Sequence, residues 1–312
     1  MRALSENFID DLKGGLLKSL LERVRQDDTL MLAIRDNYIN IYYRGGNILK
    51  LKERKKGLYQ AYFDKRYIKT AISLPDLQQS INTSDLVEKW INALPILKQT
   101  MDISFSINSK PEREFQQLVA RENNHSTISN ETEYFASDIE ASDANLGARF
   151  DMLAIRWPAS QRRDGGKCRA AFIEMKYGDG ALDGSAGLLK HLEDISALIM
   201  NSDRYKELLL VMEAQFNQLD QLGLLNFKRS SKGTSVKINT KGKPEVIFVL
   251  ANHNPRSKKL RSILENKEVI AYGDSEFFDL RFFVSSFAGY GLHSDCMFTL
   301  SELREYLKKL IK

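Results

Sequence analysis

The stretch "AAFIEMKYGDG", residues 170–180, places Glu174 and Lys176 two positions apart inside an otherwise apolar run. A short apolar run that ends at glycines predicts a buried strand, where a carboxylate and an ammonium are costly unless they have partners. Side chains alternate across a strand, so Glu174 and Lys176 share one face. We therefore expect them to belong to a polar site.

A second predicted strand, "RFDMLAIRW" at residues 149–157, precedes this one and carries Asp151. The polar segment between the two strands predicts a hairpin turn, which would bring Asp151 opposite the end of the next strand, beside Glu174 and Lys176. Two carboxylates, a backbone carbonyl and waters suit Mg²⁺, which prefers oxygen ligands. A lysine beside such an ion can steer a water and support negative charge on a phosphate.

The predicted order of elements extends this pattern in both directions along the chain. A helix is expected first, then three strands, one or two helices, and a final buried strand; the segments are 109–124, 132–142, 149–157, 168–178, 185–225 and 245–253.

This pattern resembles the PD-(D/E)XK, or restriction endonuclease-like, nuclease superfamily. The shared features are an Asp on one strand, a Glu-x-Lys triplet on the next strand and the α-β-β-β-α-β order of elements. The resemblance covers about residues 109–255 and implies an α/β fold with a mixed central sheet flanked by helices. It implies a nuclease that uses Mg²⁺ or Mn²⁺ to hydrolyse phosphodiester bonds, with DNA preferred over RNA as substrate.

The same resemblance implies roles for individual residues. Asp151 and Glu174 would be metal ligands, Met175 would lend its backbone carbonyl, and Lys176 would be the catalytic lysine. Glu114 fits the helix glutamate that some members place at the metal, with Glu112 as its competitor. Three residues remain as accessory candidates: Glu140, Lys190 and His191. Phe150 stands where the superfamily often has proline.

Two other functions stay open beside the nuclease. The chain could keep the nuclease fold and bind DNA without cutting it, or act as an interaction module in a defence or repair assembly. Helicase, ATPase and methyltransferase motifs are missing from the sequence, so a protein partner would have to supply any such activity. Pairing of two copies to cut both strands is also left open.

Residues 1–105 predict a separate N-terminal α+β module, followed by the nuclease-like domain at 106–312. The module begins with helical spacing over residues 5–25, weakened by Gly14 and Gly15. An antiparallel meander follows, with Gly45 and Gly46 as the predicted two-residue turn of a hairpin. A helix that starts at Thr83 or Ser84 closes the module.

Positive charge is concentrated in two segments of the chain. Residues 44–69 hold nine Lys or Arg against two acids, and residues 226–261 hold ten against one, whereas residues 101–155 hold ten acids against four bases. Basic segments of this kind bind nucleic-acid phosphates or are simply solvated surface. On the first interpretation, the predicted nucleic-acid-binding residues are Arg44, Lys50, Lys52, Lys228, Arg229 and Lys232.

Composition excludes several other classes of protein. The 43% hydrophobic and 28% charged residues are typical of a folded chain, and no apolar run reaches the roughly 18 to 20 residues of a membrane helix. Cys168 and Cys296 form no CxxC pair, which argues against a disulfide framework or a cysteine zinc site. Acids near the N-terminus argue against a secretory signal, so a cytoplasmic location is expected.

Overall fold

The structure is a computed structural model of mixed α/β class. It describes residues 2–69, 73–125, 132–143, 148–162, 168–227, 235–254, 257–285, 292 and 294–310. The chain divides into two compact units, 1–118 with 217–225 and 119–216 with 226–312.

Unit 1 is built on an antiparallel five-stranded sheet whose strands follow one another in chain order. Its elements are α1 (Glu6–Lys13), α2 (Lys18–Gln26), β1 (Leu30–Ile34), β2 (Tyr38–Tyr43), β3 (Gly46–Lys55), β4 (Leu58–Tyr62), β5 (Ser80–Ile81), α3 (Ser84–Ile107) and the first part of α4 (Pro111–His125). The domain boundary that the sequence predicts after residue 105 lies in the last turn of α3.

The predicted N-terminal helix is in fact two helices. Ser5 caps α1 by accepting a hydrogen bond from the Phe8 backbone N–H, and Gly14 forms the C-cap. The glycine pair breaks the helix because glycine gains conformational freedom outside it. Phe8, Leu12 and Leu20 are buried on both sides of this break, so the two helices still cover one core.

The hairpin between β2 and β3 lies one residue earlier than the sequence predicts. Tyr43 pairs with Gly46, so the two loop residues are Arg44 and Gly45 rather than Gly45 and Gly46. Both have positive φ, +47° and +71°, as two-residue loops of the I′ type require. The predicted position of the turn was wrong because the prediction placed glycine at both residues with positive φ, whereas Arg44 is the first of them.

Unit 2 is built on a six-stranded mixed sheet in the order β11-β10-β9-β8-β7-β6. Its strands are β6 (Tyr134–Asp143), β7 (Ala148–Arg156), β8 (Arg169–Tyr177), β9 (Glu245–Ala251), β10 (Asp279–Val284) and β11 (Met297–Phe298). Its helices are α5 (Leu188–Met200), α6 (Ser202–Gln221, whose last turn belongs to unit 1), α7 (Lys258–Leu264), α8 (Lys267–Ala271) and α9 (Leu300–Leu310).

The predicted order of helix, three strands, helices and strand is the order that the structure shows from α4 to β9. β6, β7 and β8 form an antiparallel meander, and β8 then pairs with β9 in parallel through the crossover of α5 and α6. Every residue of β9 is buried, as expected for a central parallel strand. β10 pairs with β9 in parallel and continues the sheet beyond this central strand.

An aromatic cluster packs α6 against the sheet of unit 2. Phe216 of α6 meets Phe135 of β6 at 5.9 Å between ring centroids and Trp157, just after β7, at 6.2 Å. Burial of each such ring contributes on the order of 2 kcal/mol, so the cluster holds the meander in place. None of the described helices has both the length and the apolar character needed to cross a bilayer.

Candidate active site

The strand register brings Asp151 and Glu174 together at one edge of the unit 2 sheet. Met152 pairs with Ile173, and the next row of this antiparallel register sets Asp151 opposite Glu174. Residues directly opposite on antiparallel strands point to the same face, and Lys176 lies on that face two residues further on. This is the arrangement that the sequence predicts for these three residues.

The two carboxyl groups are buried and in contact with each other. Asp151 is 9% exposed, Glu174 is 0% exposed, and the Met175 backbone N–H donates to Asp151 Oδ2 at 2.8 Å. Burial first, then the negative charge of Glu174, raises the pKa of Asp151 to about 7; the Met175 N–H and the charge of Lys176 act in the opposite direction. Near neutral pH the pair can therefore share a proton, and a cation that bound there would displace this proton into solvent.

Lys176 is held beside this pair although it is only 3% exposed. Its Nζ donates to the backbone carbonyl of Ala186 at 3.0 Å, in the short 3-10 turn Gly184–Ala186 that precedes α5. That hydrogen bond uses one of three ammonium donors. All three side chains are therefore buried, and they do not form a solvated ion pair at an exposed strand end.

His191 is the accessory candidate that the structure places against the carboxylates. Its Nδ1 lies 2.9 Å from Glu174 Oε2, and it stands in the first turn of α5. Burial and then the charge of Lys176 lower the pKa of His191, whereas Asp151 and Asp194 act to raise it. Lys190, its neighbour, is exposed and pairs with Asp194 at 2.6 Å instead.

Glu140 extends the carboxylate row onto β6. Ile139 pairs with Met152 and Ala141 with Phe150, so Glu140 lies across from Asp151. Glu140 has a positive φ of +49° and forms an ion pair with Arg149.

Arg149 is a residue that the sequence-based interpretation missed. The charge of Glu140 is the largest cause of its raised pKa, and Asp151 and Glu174 also contribute. It stands two residues before Asp151 on β7, which places both side chains on one face of the strand. That spacing was visible in the sequence and could have identified it.

Glu114 lies in unit 1, in the first turn of α4. Its carboxylate accepts two hydrogen bonds from Arg44, at 2.8 and 3.1 Å, and Arg44 also donates to Asp102 at 2.8 Å. These carboxylates raise the pKa of Arg44. The expected role of Glu114 at the metal stays a prediction.

The predicted nucleic-acid-binding residues of unit 1 have different environments. Arg44 is engaged by carboxylates, whereas Lys50 lies over the ring of Tyr38, with Nζ 4.2 Å from the centroid. Burial and the charge of Lys52 lower the pKa of Lys50. Lys50 and Lys52 alternate with buried Leu49 and Leu51, so the lysines share the opposite face of β3. Lys228, Arg229 and Lys232 lie outside the described residues.

The donor set at Asp151 and Glu174 fits a hard divalent cation that keeps several waters. Two carboxylates in contact repel each other when both are ionised, and a divalent ion between them removes that repulsion. Met175, which follows Glu174 on β8, would have to offer its backbone carbonyl as a third ligand. Over the described ranges, no group of three His, Cys, Asp or Glu side chains is arranged to hold a metal. The remaining ligands would have to be waters and substrate oxygens.

Comparison of the chain with protein-family models, with curated protein sequences and with solved structures finds no match.

Proposed function

We propose that this protein is a divalent-metal-dependent nuclease with a restriction endonuclease-like core in unit 2, acting on DNA. The observation that carries the proposal is the convergence of Asp151, Glu174 and Lys176 in one buried group at the edge of the sheet. The α-β-β-β-α-β order from α4 to β9 supports the fold assignment.

In this mechanism Asp151, Glu174 and the Met175 carbonyl would hold Mg²⁺ or Mn²⁺. When bound, the ion would lower the pKa of a water and neutralise charge on the scissile phosphate. Lys176, anchored by the Ala186 carbonyl, directs its other ammonium protons at the attacking water or at a phosphate oxygen. The Met175 N–H donates to Asp151 Oδ2 and so holds this carboxyl group in place beside Glu174.

His191 and Arg149 lie beside the carboxylate pair, where a positive charge or a donated hydrogen bond would offset its negative charge. Each is a cation or hydrogen-bond donor close to Glu174 or Asp151. Because neither is a metal ligand in the proposed set, we expect them to position the carboxylates rather than to hold the ion.

The test is a cleavage assay on plasmid, linear double-stranded DNA, single-stranded DNA and RNA, each with Mg²⁺, Mn²⁺ or EDTA. We expect metal-dependent cleavage of DNA by the wild-type protein. E174A and K176A should each lower it at least about a hundredfold, because each removes a group used in the transition state. Circular dichroism should show that both variants stay folded.

Two exposed residues provide matched controls. E193Q on α5 and K206A on α6 change similar side chains on the helix surface and should leave cleavage unchanged. Full activity of purified E174A or K176A would refute the site assignment, and so would equal loss in the controls.

The second candidate is nucleic-acid binding without cleavage. The full burial of Glu174 and its contact with His191 favour it, because an ion could reach Glu174 only after this contact rearranges. Calorimetric titration with Mg²⁺ separates the two candidates. A nuclease should show metal affinity that D151N abolishes, whereas a protein that only binds nucleic acid need show none.

A further inference from the structure

The sheet of unit 1 has one closed face and one open face. Strand alternation buries Ile39, Leu51 and Tyr59 on the closed face, where the Phe8 ring of α1 meets Tyr59 at 4.8 Å between centroids. On the three middle strands, half-buried side chains point the other way. These six side chains are named the open face: Tyr38 and Asn40 of β2, Lys50 and Lys52 of β3, and Gln60 and Tyr62 of β4.

The strand register arranges the open face in two rows across the sheet. Tyr38, Lys52 and Gln60 form one row, and Asn40, Lys50 and Tyr62 form the other. Neighbouring strands are about 4.8 Å apart, so the two tyrosines flank the lysines at roughly 10 Å across the strands. Lys50 Nζ also lies 4.2 Å from the centroid of the Tyr38 ring. Each lysine therefore has an aromatic ring as a direct neighbour.

The strands of the open face carry an excess of positive charge. Residues 50–56, from β3 into the following turn, hold five Lys or Arg against Glu53, and neither β2 nor β4 contains an acidic residue. Glu53 pairs in register with buried Tyr59 and so belongs to the closed face. There its Oε2 accepts hydrogen bonds from the Ser5 hydroxyl at 2.7 Å and from the Asn37 amide at 2.9 Å.

The acids that flank these strands leave the excess in place. Asp64, which follows β4, binds the Arg66 guanidinium at 2.6 Å, and Asp36 lies in the exposed turn before β2. Among the residues that the structure describes, Lys50 and Lys52 form no ion pair. Burial and the charge of Lys52 lower the pKa of Lys50. An anion bound at the two lysines would remove their mutual repulsion.

We propose that the open face of unit 1 binds single-stranded nucleic acid, with phosphates at Lys50 and Lys52 and bases stacked on Tyr38 and Tyr62. Each nucleotide carries one flat base and one negative phosphate, and a ring beside a lysine matches both groups. The bases of a duplex are stacked on each other, so only unpaired bases can stack on these rings. An acidic protein segment would satisfy the lysines and leave the rings unused. This binding is separate from the cleavage proposed for unit 2.

The experiment measures binding by fluorescence anisotropy with the full chain in EDTA, where no metal-dependent cleavage occurs. The labelled probes are a DNA strand of about twelve nucleotides, the same sequence as RNA, the matching DNA duplex and a poly-glutamate peptide. We expect a single strand, as DNA or as RNA, to bind at least about fivefold more tightly than the duplex or the peptide. A duplex or a peptide that binds as tightly as the single strands would overturn the proposal.

The double variant K50A/K52A tests the phosphate contacts. It should weaken single-strand binding and reduce the slope of log affinity against log salt by about 1.4, because two phosphate contacts are lost. K13A/K89A is the matched control, since Lys13 on α1 and Lys89 on α3 are exposed and lie outside the open face. The control should keep the wild-type slope. An unchanged slope in K50A/K52A, or an equal change in both variants, would count against the open face.

Substitutions of Tyr62 test the stacking separately from the charge. Y62L, which keeps an apolar side chain without the ring, should weaken single-strand binding at least about fivefold. Y62F keeps the ring and should bind as wild type does. Urea unfolding checks that both variants are folded under the assay conditions. Equal affinity of folded Y62L and Y62F would rule out stacking at this position. Because no measurement depends on cleavage, an inactive nuclease site would not alter these results.

Discussion

At the scale of single residues, Asp151 combines burial with a neighbouring carboxyl. Both effects raise its pKa, from 3.8 to about 7. Between pH 4 and 7 the Asp151 carboxyl is therefore protonated in the folded protein but ionised in the unfolded chain. Its contribution to stability is greatest below pH 4 and declines as the pH rises to about 7.

We predict that D151N removes this decline while it abolishes metal binding. Three pKa units correspond to about 4 kcal/mol, so without metal the variant should be more stable than wild type above pH 7, by up to that amount. Thermal unfolding in EDTA, followed from pH 4 to 8, measures the difference. Addition of Mg²⁺ at pH 8 should raise the melting temperature of wild type alone.

E207Q is the control, because Glu207 is an exposed acid on α6. It should keep the wild-type slope of stability against pH. A D151N protein that follows the wild-type slope would show that this carboxyl does not titrate near neutrality.

At the scale of elements, two tight turns of the unit 1 sheet contain glycines with similar backbone angles and different surroundings. Gly45 in the β2–β3 turn has φ +71°, and Gly57 in the β3–β4 turn has φ +70°. A Cβ on Gly45 would overlap the Arg113 backbone, whereas a Cβ on Gly57 meets nothing within 4 Å. A comparison of alanine substitutions at these two glycines therefore separates the cost of backbone strain from the cost of steric overlap.

We predict that G57A costs about 1 kcal/mol, which is the cost of a positive φ for alanine. G45A should cost at least about 3 kcal/mol, because overlap with the start of α4 adds to the same strain. Urea unfolding of both variants measures the difference. Equal costs would mean that the turn moves away from α4 freely.

At the scale of the whole molecule, a buried ionic network ties together five strands of the unit 2 sheet. Glu245 at the start of β9 is 2% exposed and accepts hydrogen bonds from three donors. Tyr134 and Arg156 each donate at 2.6 Å, and Arg169 donates at 3.2 Å while it also binds Asp279 of β10. This network lies at the opposite end of β8 from Glu174 and Lys176.

We predict that E245A destabilises the protein by about 3 to 5 kcal/mol, because it leaves two partly buried arginines without this acceptor. E265A should cost under about 1 kcal/mol, since Glu265 forms an exposed pair with Arg261 on α7. Denaturant unfolding of both variants provides the comparison. A loss below 1 kcal/mol for E245A would show that water replaces the carboxylate.

Local patterns were sufficient for the elements that carry the candidate site. β7 and β8 lie within a residue of their predicted bounds, since strand alternation and turn polarity are local properties of the chain. The position of Asp151 opposite Glu174 could also be predicted from the sequence, because a hairpin limits which residues of its two strands can lie opposite each other. The turn at Arg44 was displaced by one residue because non-glycine residues can adopt positive φ in I′ turns.

The sequence by itself determined the strands, their faces and the Asp, Glu and Lys side chains that a metal site needs. Only the tertiary structure decided that His191 reaches Glu174 and that Glu245 binds two arginines. These contacts join segments far apart in the chain. They depend on how helices and parallel strands pack, which no local periodicity encodes.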